Sequence, residues 1–120
     1  MKSKVLLKGQ ALEEYNKLKD NIEDEKLKGI TSSENQSLFN SIKTKTDWLK
    51  DNPLAGEVIK KSDIPKNLDV DNLFKLRLSG FWRMLYTIRR ESIEIFCFIL
   101  VIESHPDYNK RFRKRKKNYK

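Results

Sequence analysis

One cysteine and one histidine are all this chain offers for a disulfide or a thiolate and imidazole metal site. Cys97 and His105 cannot build a disulfide framework or a four-ligand zinc centre, so both kinds of staple are excluded. Cys97, set among Ile95, Phe96, Phe98 and Ile99, reads as a small buried hydrophobe. Long apolar runs are also missing. The opening MKSKVLLKGQ has three consecutive apolar residues, too few for a signal-peptide core. No run approaches the roughly 18 residues that span a bilayer. A soluble, cytoplasmic protein with no membrane partner is expected. There is no internal repeat, and acidic residues are absent from the last twelve positions.

What is present is charge. A chain of 120 residues supports one core and not two. Charged residues are 36% of it and hydrophobic ones 38%, so a small core lies under a heavily charged surface. The net charge of +9 is concentrated at one end. Residues 109–120, NKRFRKRKKNYK, carry eight basic side chains, while the other 18 basic residues face all 17 acidic ones. The reading is therefore one domain over 1–108 with a polybasic extension over 109–120. A cationic block of this kind suits phosphate-rich partners through counterion release. Lys110, Arg111, Arg113, Lys114, Arg115, Lys116 and Lys117 are its candidate nucleic-acid contacts.

Periodicity predicts the elements. Lys4 to Lys8 is a short strand, placed at a sheet edge. A helix over about Gln10 to Lys28 has Leu12, Tyr15, Leu18 or Lys19, and Ile22 at three- and four-residue steps, closed by Gly29. A second helix, capped by Thr31, Ser32 or Ser33, runs to about Asp51, with Leu38, Ile42 and Leu49 as its stripe and Pro53 as its stop. A connector over 52–71 follows. Three antiparallel strands then follow within 72–108, ending on a histidine and a tyrosine. Phe74, Leu76 and Leu78 alternate with Lys75 and Arg77, and Ser79–Gly80 turns the chain. Trp82, Met84, Tyr86 and Ile88 share one face of the next strand, with Arg83, Leu85, Thr87 and Arg89 on the other. Arg90 to Ser92 form a second turn. The nearly unbroken apolar run Ile93 to Ile102 is expected to be the central strand, covered on both faces. The expected class is α+β, order β-α-α-β-β-β: a small, mainly antiparallel sheet with two helices packed on one face.

That order, with the residues around it, resembles the RelE/ParE superfamily of toxins from type II toxin–antitoxin systems. The likeness is carried by WLKDNPLAGEVIKKSDIP after the second helix, by the hairpin LFKLRLSGFWRMLYTI, and by ESHPDYNKRF at the end of the last strand. It spans nearly the whole chain. RelE-like members are ribosome-dependent endoribonucleases, and ParE-like members inhibit DNA gyrase without RNA cleavage. The resemblance implies the fold more firmly than either activity. It implies a cognate antitoxin, the ribosome and mRNA as partners, and no cofactor.

RNA cleavage by its own 2′-hydroxyl needs a proton acceptor, stabilisation of a phosphorane-like charge, and a proton for the leaving 5′-oxygen. No metal is required for these steps. Lys75 and Arg77, two apart on a strand, project from one face, and Arg83 lies beyond a tight turn, so the three can converge on one phosphate. By resemblance Arg83 matches the phosphate-binding arginine, with Lys75 and Arg77 on the basic strand. His105 and Tyr108 stand where the family places its terminal acid/base and base-stacking groups. Histidine titrates in the range that suits proton transfer near neutrality. Phe81, Trp82 and Tyr86 are the other aromatics near this surface. Plainer readings compete. Lys75 and Arg77 can be the wet face of a strand, and Arg83 can pair with Glu94 or Glu103. His105 can be a turn residue, and Trp82, Met84 and Tyr86 can be core.

Overall fold

The helices form where the three- and four-residue steps place them. In the structure, a computed structural model describing residues 2–113, α1 is Gly9–Leu27 and α2 is Glu34–Asp51. Gly29, at φ +80°, ends α1. Its N–H donates to Lys26 O, and that of Ile30 to Glu25 O, the bond pair that satisfies a helix's last carbonyls. Of the three candidate caps for α2, Ser33 is the one used: its Oγ accepts from Gln36 N at 3.1 Å. The buried stripe of α1 is Ala11, Leu18 and Ile22, with Tyr15 beside it and Leu12 largely exposed. The one-residue difference from the expected stripe follows from Gln10. Its side-chain amide donates to Ile102 O and accepts from Ile102 N, both at 2.9 Å, and so pins the helix start to the sheet.

The sheet has five strands in the order β1-β5-β4-β3-β2: β1 Lys4–Leu7, β2 Glu57–Val58, β3 Phe74–Arg77, β4 Trp82–Glu91 and β5 Glu94–Ser104. β1 is an edge strand and runs parallel to β5; the remaining pairs are antiparallel. Two features modify the expected order. A two-residue β2 pairs with β3 inside the connector, and a third helix, α3 (His105–Arg113), follows β5. The long apolar strand β5 lies one place off centre, and β4 occupies the middle. The second turn is shorter than expected, because β4 runs to Glu91 and only Ser92 and Ile93 cross over, with Ser92 at φ +59°.

α1 and α2 pack on one sheet face, as expected. Phe74, Leu76, Leu78, Met84, Tyr86, Cys97, Ile99 and Ile102 meet Ala11, Leu18, Ile22, Leu38, Ile42 and Leu49 there. Strict alternation along β5 would put Ile99 and Ile102 on opposite faces. A β-bulge resolves this: Leu85 pairs with Val101 and Tyr86 with Ile99, so Leu100 has no opposite residue. After the bulge, Val101 and Glu103 point away from the helices. The second face is not bare. Leu73, Leu85 and Val101 form a smaller core there, covered by Ile59, Ile64, Leu68 and Val70 of the connector and by Tyr108 and Phe112 of α3. The connector is thus a packed cover and not a loose loop. α3 also carries the chain straight across the expected 108/109 boundary.

Candidate functional site

The site is built at the β3–β4 turn, on the face away from α1 and α2. Gly80, at φ +66°, closes the turn, and Leu78 N donates to Trp82 O. Arg77 and Arg83 are consequently direct cross-strand neighbours, with Lys75 two residues further along the same face. β5 ends at Ser104, and Pro106 lies in the first turn of α3, where the missing N–H costs nothing. Asp107 in the first turn complements the helix dipole and accepts from Ser104 Oγ at 3.3 Å. In a helix, positions 105, 108, 109 and 112 fall on one side. Tyr108 and Phe112, ring centroids 4.6 Å apart, pack against the second face on that side.

The consequence is a cluster. Arg83 Nη2 lies 3.3 Å from His105 Nδ1, and Arg83 Nη1 donates to Trp82 O at 3.1 Å. The Tyr108 ring has Lys75 Nζ 5.3 Å and Arg83 Cζ 6.0 Å from its centroid, within cation–π range. Phe81, 74% exposed, has its ring 6.3 Å from the imidazole. Asn109 Nδ2 sits 3.2 Å from His105 Nε2. Four of the five expected site residues, Lys75, Arg83, His105 and Tyr108, are therefore joined by direct contacts, and Arg77 borders them as the cross-strand partner of Arg83. Arg77 is exposed and makes no ion pair among the described residues.

Among the described residues, the charge of this cluster is only partly neutralised. Glu103 is the cross-strand partner of Arg83, yet its carboxylate accepts two hydrogen bonds from Arg111, from Nε and Nη2, each at 2.9 Å. Glu94 pairs with Lys4. Arg83 thus has no carboxylate partner among the described residues. Lys75 has one, Glu57 at 3.5 Å, which is two-thirds exposed and so weakly compensating. The Glu103–Arg111 pair raises the pKa of the Arg111 guanidinium, chiefly through the hydrogen bond, and holds α3 on the sheet.

Several expectations change here. Arg111, expected to be a free nucleic-acid contact, is committed to Glu103, which leaves its charge balanced. Lys110 remains exposed, at a groove of about 1280 Å³ that Lys61 and Lys66 line from the connector. Arg113 is the last residue of α3, and Lys114, Arg115, Lys116 and Lys117 lie outside the described residues. Tyr86 is not near this surface. It is fully buried on the helix side, where its Oη donates to Pro53 O at 2.8 Å and accepts from Gly56 N at 2.9 Å. Trp82 also belongs to the helix-side core. Cys97 is buried, its pKa raised by burial against a smaller opposing effect of Ser3. Asn109 was not among the expected site residues. The signal for it is Pro106–Asp107, a helix-start pattern that puts residue 109 one turn after His105.

Among the described residues no helix is long and apolar enough to cross a membrane. The chain matches no protein-family model, no curated protein and no solved structure, so any functional reading rests on the side chains gathered at Arg83.

Proposed function

We propose that this protein is a RelE-like toxin: an endoribonuclease that cuts mRNA on the ribosome and is silenced by a cognate antitoxin. The observation that carries the reading is an arginine with no carboxylate partner among the described residues, Arg83, in contact with the only histidine and lying against Tyr108. A structural arginine at this depth normally has a carboxylate. Here the nearest one in register, Glu103, is taken by Arg111, which leaves the Arg83 guanidinium for an anion from outside.

In the proposed reaction Arg83 and Arg77 hold the scissile phosphate, and Lys75 adds to the positive field on the accumulating charge. His105 accepts the 2′-hydroxyl proton as the 2′-oxygen bonds to phosphorus. The bond from phosphorus to the 5′-oxygen breaks, and that oxygen takes a proton from water. The products are a 2′,3′-cyclic phosphate and a 5′-hydroxyl. Tyr108 orients the adjoining nucleobase, and Phe81 is the exposed ring for stacking. Lys110, the connector lysines and the polybasic end dock on ribosomal RNA, and the antitoxin covers the same cationic surface with an acidic segment.

The test is induced expression of the chain beside Arg83→Ala and His105→Ala, with new mRNA 5′ ends mapped. Growth arrest accompanied by in-frame cuts, both lost in either variant, is the expected outcome. Arrest without cuts would favour a ParE-like inhibitor that acts by binding a protein. Soluble protein with neither arrest nor cuts would leave an RNA-binding protein without activity.

A further inference from the structure

His105 has a neighbour at each ring nitrogen, Arg83 Nη2 at Nδ1 and Asn109 Nδ2 at Nε2. The two contacts differ in kind. A guanidinium carries only donors and stays charged throughout the range in which proteins fold, so Nδ1 must meet it with a lone pair. A neutral imidazole has one lone pair and one N–H, which puts the proton on Nε2. Asn109 is the protein group that this N–H meets. It supplies an acceptor when its amide is turned to present Oδ1, since the two ends of the amide have nearly the same shape.

We propose that Asn109 is a positioning residue that keeps His105 in the Nε2–H form, and that Arg83 masks the Nδ1 lone pair until a phosphate diester takes the guanidinium. The base is then exposed only when the phosphate beside it is bound. Arg83 holds the tautomer in the free protein; Asn109 holds it once Arg83 has turned to the anion. The chemical meaning rests on the nuclease reading above, but the ring's protonation pattern can be read without any cleavage.

Because the chain has a single histidine, imidazole ¹⁵N spectra of the full-length protein report on this ring alone. With inorganic phosphate as the probe, and the ring neutral, the wild type is expected to stay Nε2–H while its Nδ1 resonance moves as the Arg83 contact is released. Arg83→Met should not respond to phosphate. Asn109→Leu should match the wild type without phosphate and become a tautomer mixture with it, and Asn109→Asp, which keeps an acceptor oxygen, should restore the single form. An Nδ1–H wild type overturns the proposal, as does an Nδ1 resonance indifferent to phosphate. So does an Asn109→Leu ring that stays pure Nε2–H in phosphate. In a cleavage assay Asn109→Leu should lose about tenfold to a hundredfold in rate. The expected spectra with no cleavage by the wild type would keep the anion-gated lone pair and remove the nuclease reading alone.

Discussion

Tyr86 shows how one side chain ties the helix side of the molecule to the connector. Its hydroxyl answers both Pro53 O and Gly56 N–H while its ring stacks on Phe74, centroids 5.2 Å apart. Gly56 must be glycine, because a Cβ there would stand 2.8 Å from the Tyr86 ring. Tyr86→Phe leaves two backbone groups without their partner, and we expect it to cost about 1–3 kcal/mol in a denaturant titration. Burial, only partly offset by the Gly56 N–H, pushes the phenol's pKa up to about 12. A raised folded pKa means that stability is intact below the ordinary tyrosine value near 10 and is lost as pH climbs through 12. Tyr86→Phe should therefore flatten the alkaline limb of the stability profile. At this scale the sequence was legible where alternation was clean. Arg83 and Tyr86 fall on opposite faces of β4 because they are three residues apart, which placed Arg83 correctly. It equally argued against Tyr86 sharing that surface.

Elements are held to one another by a few polar clamps. Glu25, near the end of α1, accepts from Ser33 Oγ at 2.6 Å, Asn35 Nδ2 at 2.9 Å and Gln36 Nε2 at 3.0 Å, so the first turn of α2 is bound to α1. Its pKa is lowered, first by Ser33 and then by Asn35. A depressed carboxyl pKa contributes stability above the unfolded value and loses it as pH falls through the folded one. Melting temperatures of wild type and Glu25→Gln should differ at neutral pH and converge in acid. At the other end of the chain Glu103 and Arg111 anchor α3. Glu103→Gln keeps the shape but removes the charge, and should cost about 1–3 kcal/mol. Amide exchange over 105–113 should speed up more than in α1. Protection unchanged in α3 would mean that Tyr108 and Phe112 alone dock the helix. α3 itself was illegible beforehand. HPDYNKRFR has aromatic side chains only at Tyr108 and Phe112, apart from the histidine, and these lie one helical turn apart, while its cations merge with the tail that follows. The start signal was present in Pro106 and Asp107, but a strand ending in a basic run looks the same without contacts.

For the molecule as a whole, charge decides how it meets a partner. The cationic row Lys75, Arg77 and Arg83 lies on one sheet face, and Lys61, Lys66 and Lys110 line the groove beside α3. Replacing these three groove lysines with alanine should weaken binding to single-stranded RNA without changing base preference. The dependence of log affinity on log salt should become shallower, by about 0.7 for each phosphate that the variant no longer neutralises. Truncation after Arg113, which removes Lys114, Arg115, Lys116, Lys117 and Lys120, should act in the same direction. An unchanged salt slope in the lysine variant would take the groove out of the RNA path. The two-helix, antiparallel-dominated frame was readable at this scale because each helix stripe and strand alternation is local. The cover on the second face was not. Ile59, Ile64, Leu68 and Val70 are scattered among polar residues with no period, and only their packing against Leu73, Leu85 and Val101 joins them.

The unpaired Leu100, which packs against the second-face core, lets β5 change length by one residue without reversing its faces. Ahead of it, Phe96 to Ile99 are locked to β1, and behind it Val101 to Ser104 pair with β4 and lead into α3. Removing Leu100 would take away one residue and leave Ile99 and Ile102 facing the helices and Glu103 facing Arg111, since strict alternation would then give the same assignment. The same cut at Cys97 would reverse Phe98 and Ile99 relative to the strand before them. Leu100 stands where the support of β5 from β1 ends and its service to the cationic cluster begins.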